Sequence, residues 1–393
     1  MIRKKKNTEQ NLEQRLFMDS EALKELVTIV TQTVLHEEQK QFLGVGPYER
    51  SEQRRGHRNG MKPRTMKTRV GKIGFEVPQV RGTEEPFRPS LFDRYQRTEK
   101  ALLVTLQEMY VKGVSTREVA AVMEEMGGFE VSPQAVSQAT AQLDEAVKRW
   151  RERSLEGVSY PYLVIDARYE KVRKGGRVVS QAVLIVAGVD GDGRREILGF
   201  WPGDSESEDT WGEVFRDLKS RGLSGVELLV SDAHKGMRKA AMKHLQGVGW
   251  QRCRVHFLRE MLAKVSWRDR AALAADLKAI YTSEEAAQCL LVAEEVAAKW
   301  ETKSLKLAKA IRAGVEDTLT VAAMELPSEH RRRLHSTNML ERLNRELKKR
   351  TRKVSIFPNE ASLVRLYGAM LMEIDERWKT EERRYLNMER RNA

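Results

Sequence analysis

Apolar residues recur at two different periods along this chain, and the changes of period divide it. Over 20–44, Leu23, Leu26, Val27, Val30 and Val34 fall on one stripe at helical spacing, which predicts an amphipathic helix. Its apolar face serves packing within the chain or a partner helix in a dimer. Over 65–80 the period drops to two. Met66, Thr68 and Val70, then Ile73, Phe75 and Val77, alternate with other residues around Gly71-Lys72, the pattern of a β-hairpin. Pro86 and Pro89 mark 82–89 as a linker. Helical spacing returns over 99–150 with two internal signals. Ser115 or Thr116 caps a helix that Gly127-Gly128 ends, and Ser132-Pro133 opens a second one. In that second helix Val136, Leu143 and Val147 turn inward, leaving Gln134, Ser137, Gln138 and Gln142 outside. This is a helix-turn-helix candidate, and glutamine can read adenine edges in a major groove.

Past 160 the strands begin. Residues 162–166 (Tyr-Leu-Val-Ile-Asp), 181–190 and 195–200 predict three strands, with Asp190-Gly-Asp-Gly193 turning between the second and third. A helix over about 207–220, a buried strand over 226–232, a helix over 235–245 and a strand within 250–256 follow. The order is β-β-β-α-β-α-β, an antiparallel meander running into α/β units. From 257 to about 323 the spacing is helical throughout, and helix resumes near Asn338.

Two of these strands end in aspartate: Leu163-Val-Ile-Asp166 and Leu228-Leu-Val-Ser-Asp232. Strand carboxyl ends are where ligand-binding groups collect in open α/β sheets. Two carboxylates side by side repel unless a cation lies between them. The candidate third acid is Glu341. On its helix Asn338, Glu341, Arg345 and Lys348 share a face beside a core stripe of Leu340, Leu343 and Leu347. Three carboxylates suit two Mg²⁺ ions, which can activate a nucleophile oxygen and stabilise the leaving oxygen of a phosphodiester. Plainer roles fit each acid too. Asp166 could end a turn, Asp232 could cap the helix near Lys235, and Glu341 could close a capping box begun by Asn338. Glu206, Glu208 and Asp209 are rival acids, although Ser205-x-x-Glu208 reads as a capping box itself.

Composition narrows the class. With 393 residues, 40% hydrophobic and only 10 prolines, the chain can form two or three globular domains at about 150 residues each. The longest apolar run, 182–189, falls far short of the roughly 20 residues a membrane span needs. A basic start, Met1-Ile-Arg-Lys-Lys-Lys6, leads into polar residues where a signal peptide would be apolar, so a cytoplasmic protein is expected. Cys253 and Cys289 are too few for a disulfide framework or a Cys-only zinc site. No zinc-protease helix, phosphate loop or Gly-x-Ser-x-Gly elbow occurs.

The formal charge of +13 is concentrated. Residues 50–72 hold nine Lys/Arg against Glu52, and 331–353 hold ten against Glu341 and Glu346, so each window carries +8. Either could be a solvated face. Two clusters of one sign in one chain favour a long polyanion, with Arg54, Arg55, Arg58, Lys62, Arg64, Lys67 and Arg69 as candidate phosphate contacts in the first.

Several segments together resemble the mutator-like bacterial insertion-sequence transposases, a branch of the DDE transposases. They are Asp93-Arg-Tyr-Gln-Arg97, Gly113-Val-Ser-Thr-Arg117, the run from Tyr160 through Asp166 to Arg173, and Ser231-Asp-Ala-His-Lys-Gly236. Gln251-Arg-Cys-Arg-Val-His-Phe257, Thr337-Asn-Met-Leu-Glu-Arg-Leu-Asn-Arg-Glu-Leu-Lys348 and Ile356-Phe-Pro-Asn359 continue it to about 375. One departure is Glu260, where the family has asparagine. The resemblance implies a ribonuclease-H-like α/β catalytic domain on a mixed five-stranded sheet, interrupted by an α-helical insertion and preceded by a mainly α-helical DNA-binding region. It implies Asp166, Asp232 and Glu341 as catalytic metal ligands for two Mg²⁺ ions, with Mn²⁺ as a substitute. Cys253-x-x-His256 is a signature of the branch, read here as a structural motif holding the last strand and the insertion; with no second pair, zinc is not expected.

The expected organisation is an N-terminal helix for packing or dimerisation (1–45), a basic hairpin region with linker (46–98) and a helix-turn-helix domain (99–155). The catalytic core follows (156–256), then the insertion (257–330), the final core helix with the third acid (331–375) and a charged tail (376–393). The expected activity is binding of double-stranded terminal inverted repeats and target DNA by a homodimer or larger assembly, phosphodiester hydrolysis and 3′-hydroxyl strand transfer. Gln134, Gln138, Arg345 and Lys348 are further candidate DNA contacts, and His234 a candidate to orient a phosphate. The rival readings are a non-catalytic DNA-binding regulator and a nuclease for RNA hybrids.

Overall fold

A computed structural model describes residues 20–49, 51–52, 54–68, 71–90, 100–112, 114, 117–119, 121–122, 136–137, 140–141, 143–324, 326–352 and 354–389. The chain divides into two compact units, Met1–Gln142 and Leu143–Ala393.

In the first unit, helix α1 (Ser20–Leu43) packs on a hairpin of β1 (His57–Thr68) and β2 (Gly71–Arg81). Leu35, Met66, Ile73 and Phe75 make a small core, with Val27 against it. Helix side chains complete the free edge of β2, whose backbone groups would otherwise lack partners. Gln32 donates to the Glu76 carbonyl at 2.6 Å and accepts the Glu76 N–H at 3.1 Å, and Gln39 donates to the Gln79 carbonyl at 3.0 Å. This pairing sets the rotation of α1 and corrects the expected stripe. Leu26, Val30 and Val34 are 39%, 53% and 37% exposed, whereas Leu35, Gln39 and Leu43 are buried. Apolar spacing alone does not weigh a glutamine that satisfies a sheet edge. The hairpin also starts earlier than its alternation suggests, at His57, because a register shift between Arg58 and Met61 breaks the period. Helix α2 (Lys100–Val111) buries Leu106 and Val111. The helix-turn-helix candidate lies largely outside the described residues, including Ser115, Thr116, Gly127, Gly128, Ser132, Pro133, Gln134 and Gln138.

The second unit opens with α3 (Leu143–Arg151) and centres on one mixed sheet. Its strands β3 (Tyr162–Lys174), β4 (Arg177–Val189) and β5 (Arg195–Gly203) form the expected meander. Helix α4 (Glu208–Ser220) leads to β6 (Leu228–Ser231), and α5 (Lys235–His244) to β7 (Gly249–Arg252). The order is β5-β4-β3-β6-β7, with β6 parallel to both β3 and β7. Between β4 and β5, Asp190 Oδ1 accepts the Asp192 and Arg194 N–H groups at 2.9 and 2.8 Å, with Gly193 at φ 80. The β3–β4 hairpin runs past the aspartate to a Gly175-Gly176 turn at φ 57 and 78. Its charged residues hide the strand from a hydrophobic reading, although two glycines at positive φ are the usual tight-turn solution.

One face of the sheet packs Leu163, Ile165, Leu184 and Val186 against Trp211, Phe215 and Leu218 of α4 and Met237 and Ala240 of α5. Each large side chain buried there contributes on the order of 2–3 kcal/mol. A separate helical block follows, α6 (Arg254–Leu262), α7 (Arg270–Ala279), α8 (Ala286–Glu301) and α9 (Leu305–Gly314). It has its own core, including Phe257, Leu277, Ala297, Trp300 and Ile311. The short α10 (Thr320–Ala323) and α11 (Ser328–Leu334) precede α12 (Asn338–Thr351) and α13 (Glu360–Thr380). Helix α12 buries Leu340, Leu343 and Leu347, the predicted core stripe.

Two capping boxes expected from sequence do not form. The N-cap of α4 is Ser207, whose Oγ accepts the Thr210 N–H at 3.1 Å. The N-cap of α12 is Thr337, which makes no side-chain cap bond. Among the described residues no helix is long and apolar enough to cross a membrane.

Candidate active site

Register places the two aspartates. In β3 and β6, Tyr162 pairs with Leu228, Leu163 with Leu229 and Val164 with Val230. Asp166 and Asp232 each stand two residues past the last pair, Asp166 within β3 and Asp232 just beyond β6, so both sit at the same step and on the same face. Strands in such a pair run about 4.8 Å apart. Asp166 therefore carries a double penalty: burial pushes its carboxyl up to about 6, and the nearby charge of Asp232 adds to that, although His256 pulls the other way. Two hydrogen bonds hold the group against this cost. The Ala167 N–H donates to Oδ1 at 3.0 Å, and Asn344 Nδ2 donates to Oδ2 at 2.7 Å.

Asn344 belongs to α12, one turn beyond Glu341, so the same bond ties the helix bearing the third acid to β3. Arg168 reinforces the tie by donating to the Asn344 carbonyl at 2.8 Å while pairing with Glu170 at 2.7 Å. Sequence reasoning did not single out Asn344. Its signal was available as the i+3 neighbour of Glu341 on a helix facing a strand end.

Cys253 joins the other two elements. Its N–H donates to the carbonyl of Ser231, the residue before Asp232, at 2.6 Å. Its fully buried sulfur accepts the Thr337 N–H at 3.3 Å and the Thr337 hydroxyl at 3.4 Å, at the start of α12. Burial pushes the thiol up, but the nearby His256 and the hydrogen bonds from Thr337 outweigh it and bring the pKa below the ordinary value. His256 is raised, first by its interaction with Cys253, and further by the charges of Asp166 and Asp232. Its Nε2 lies 3.8 Å from Glu341 Oε1, so one imidazole faces all three acids.

Glu341 is engaged by Arg259 of α6, whose two terminal nitrogens reach its two oxygens at 3.0 and 3.3 Å. Among the described residues no three His, Cys, Asp or Glu side chains converge into a set that could hold a metal as they stand. Unused donors nevertheless surround the aspartates. Asn344 Oδ1 and His234 Nδ1 are buried without a hydrogen-bond partner. His234 is the N-cap of α5 and makes no cap bond, while its N–H approaches Asp232 Oδ1 at 3.3 Å. Carboxylate and amide oxygens are the donors that Mg²⁺ and Mn²⁺ prefer.

Glu206, set aside in the sequence as a rival acid, lies just before α4 beside Asp232. Burial and the Asp232 charge raise its pKa, while His234 and a hydrogen bond with Tyr169 lower it. Gly236 permits that approach, because a Cβ there would meet the Glu206 carbonyl at 2.7 Å and the Glu208 nitrogen at 2.8 Å. Glu346, by contrast, is spent on Arg350 and Arg377.

The candidate DNA contacts are differently placed. Arg345 and Lys348 are exposed on α12. In the hairpin, Arg58 is committed to Gln39 Oε1 and the carbonyls of Gly46 and Val45, and Arg54 donates to the Gly56 carbonyl at 2.8 Å. Arg55 and Lys62 are exposed. Arg64 sits opposite Phe75 and Lys67 opposite Lys72, on alternate faces. Arg69 lies outside the described residues.

Comparison with known proteins gives this arrangement its class. The family model described as "Transposase, Mutator family" matches residues 1–381. The chain is 43% identical over 374 residues to the transposase for insertion sequence element ISRM5 of Rhizobium meliloti, covering 95% of this chain and 92% of that protein. It is 42% identical to the transposase for IS406 of Burkholderia multivorans, over 87% of this chain and 88% of that one. It is 38% identical to the transposase for IS256 in transposon Tn4001 of Staphylococcus aureus, over 93% of each. The chain belongs to the Mutator family of transposases, and its similar relatives are insertion-sequence transposases.

Proposed function

We propose that this protein is a metal-dependent DNA transposase of the aspartate-aspartate-glutamate type, acting on the terminal inverted repeats of an insertion sequence. The observation that carries the reading is the shared register of Asp166 and Asp232, with the Glu341 helix bound to Asp166 through Asn344. A three-strand meander followed by two parallel strands supports a ribonuclease-H-like core with the α6–α9 block as its insertion.

Asp166, Asp232 and Glu341 are the residues that would hold the divalent cations, Mg²⁺ or Mn²⁺. When bound, the ions supply activation of a nucleophile oxygen and neutralisation of the leaving oxygen. The chain's own residues do the rest. Asn344 and the Ala167 N–H fix the rotation of the Asp166 carboxylate, keeping it ionised against burial. Cys253, through Ser231 and Thr337, fixes the strand end of Asp232 relative to the start of α12. Exposed Arg345 and Lys348 contact the DNA backbone, and His234 orients a phosphate. A phosphodiester at each element end is hydrolysed to a 3′-hydroxyl. That hydroxyl then attacks a target phosphodiester, exchanging one P–O bond for another without a covalent enzyme intermediate. The hairpin and helix-turn-helix region bind the inverted repeats. Two ends react together, so the working form is a homodimer or larger, in the bacterial cytoplasm at the nucleoid.

The test is nicking of labelled end DNA in Mg²⁺ by an Asp166→Ala variant. Nicking is expected to vanish while end binding persists; nicking at the wild-type rate would refute the assignment.

A further inference from the structure

The third acid of that reading is already bound by a cation of the protein itself. Arg259 grips Glu341 through both oxygens, at 3.0 and 3.3 Å. The two partners differ sharply in exposure: the Glu341 side chain is 17% exposed and that of Arg259 is 60%. Glu341 is therefore turned inward toward His256, while the guanidinium lies over it with its outer side in solvent. A planar fork that matches a carboxylate matches a phosphate equally well. Arg259 also stands on α6, three residues past His256 and one helix away from exposed Arg345 and Lys348. A DNA backbone reaching this site would meet the guanidinium from its open side.

A carboxylate whose two oxygens both accept from a guanidinium has to give up that partner before it can ligate a divalent cation in full. The two positive charges compete for one acid. We infer that Arg259 is a positioning residue for the reaction proposed above: without DNA it holds Glu341, and on DNA it moves to a backbone phosphate and releases Glu341 to the divalent cation. The inference rests on the three-acid reading and adds a coupling to it. DNA and the metal ion each favour the state in which the pair is broken, so each strengthens binding of the other, by the same factor. The protein thereby keeps its third ligand occupied until a substrate phosphate arrives.

The test is calorimetric titration of the full-length protein with Mn²⁺, with and without a pre-cleaved end duplex whose 3′-deoxy terminus cannot react. For the wild type, the duplex is expected to tighten Mn²⁺ binding about tenfold, within the 5- to 150-fold common for coupled sites. Arg259→Gln is expected to bind Mn²⁺ about tenfold more tightly than wild type without DNA, and to gain nothing further from the duplex. Arg259→Lys, which keeps the charge but loses the fork, is expected to fall between them. Mn²⁺ binding by DNA-free Arg259→Gln that equals or falls below wild type would overturn the inference, because a bond that merely braces α6 against α12 predicts that result. Glu341→Gln separates the two levels: wild-type Mn²⁺ affinity in that variant, with and without duplex, would remove the three-acid reading itself.

Discussion

The two windows that each carry +8 bond their committed arginines to different partners. In the α12 window three arginines are paired with carboxylates: Arg331 with Glu284, Arg333 with Glu329, and Arg350 with Glu346 and Glu373. Arg332, Arg342, Arg345, Lys348, Lys349 and Arg352 are exposed there, and Arg345 and Lys348 share a helix with Glu341. In the hairpin window the arginines Arg54 and Arg58 bond to carbonyls and an amide, and they stabilise the loop between α1 and β1. A charge count by window cannot distinguish these cases, because it does not see which cations are already spent on the fold.

Replacing Lys62 and Lys67 by Ala is expected to weaken binding of end DNA by about a hundredfold at low salt and to flatten its salt dependence, each lost phosphate contact removing about 0.9 from the slope. Replacing Arg345 and Lys348 is expected to lower the nicking rate more than the affinity. Filter-binding across a salt series, paired with single-turnover nicking, reads both. Equal effects on binding from the two pairs would erase the distinction.

The next effect is on stability and concerns the cost of the active site. The Asp166 carboxyl sits at about 6 in the fold against an ordinary 3.8. A raised carboxyl contributes stability that is fully present below the unfolded pKa and is lost as pH rises through the folded one. Metal-free protein should therefore lose about 2–3 kcal/mol from this group between pH 4 and 6. Asp166→Asn should lack that loss and melt higher than wild type at pH 7, despite being inactive. Thermal melts of both proteins in EDTA across this range measure it, and parallel pH curves would contradict it.

Smaller effects probe the supports. Gly236→Ala forces a methyl against the Glu206–Glu208 backbone and should cost about 1–3 kcal/mol, read from denaturant midpoints. Thr337→Val removes one donor to the Cys253 sulfur and should cost about 1 kcal/mol. Its more telling readout is a slower nicking rate at unchanged end affinity, since the bond positions the Glu341 helix.

The same residues show what the sequence made legible. An aspartate after each of two apolar runs and a leucine stripe beside Glu341 were readable because each is a local pattern of one element, although β3 continues past Asp166 to Lys174. The strand order then placed the aspartates together through hydrogen-bond register. Arg259 carried no local signal, since its role depends on α6 lying against α12, and Asn344 carried only its i+3 spacing from Glu341, its bond depending on α12 lying against β3. The buried face of α1 departs from the apolar stripe for a related reason: Gln32 and Gln39 satisfy a sheet edge, and no hydrophobic period encodes that. Much of the helix-turn-helix candidate, with Gln134 and Gln138, falls outside the described residues.

In the proposed reaction Asp166, Asp232 and Glu341 act as one unit. The most direct test is single-turnover nicking of labelled end DNA in Mg²⁺ by Asp166→Asn, Asp232→Asn, Glu341→Gln and the triple variant, with products sized on a denaturing gel. Residues that act as a unit show non-additive losses, so each single variant is expected to be as inactive as the triple, with end binding retained. A single variant that nicks at near the wild-type rate would contradict the account.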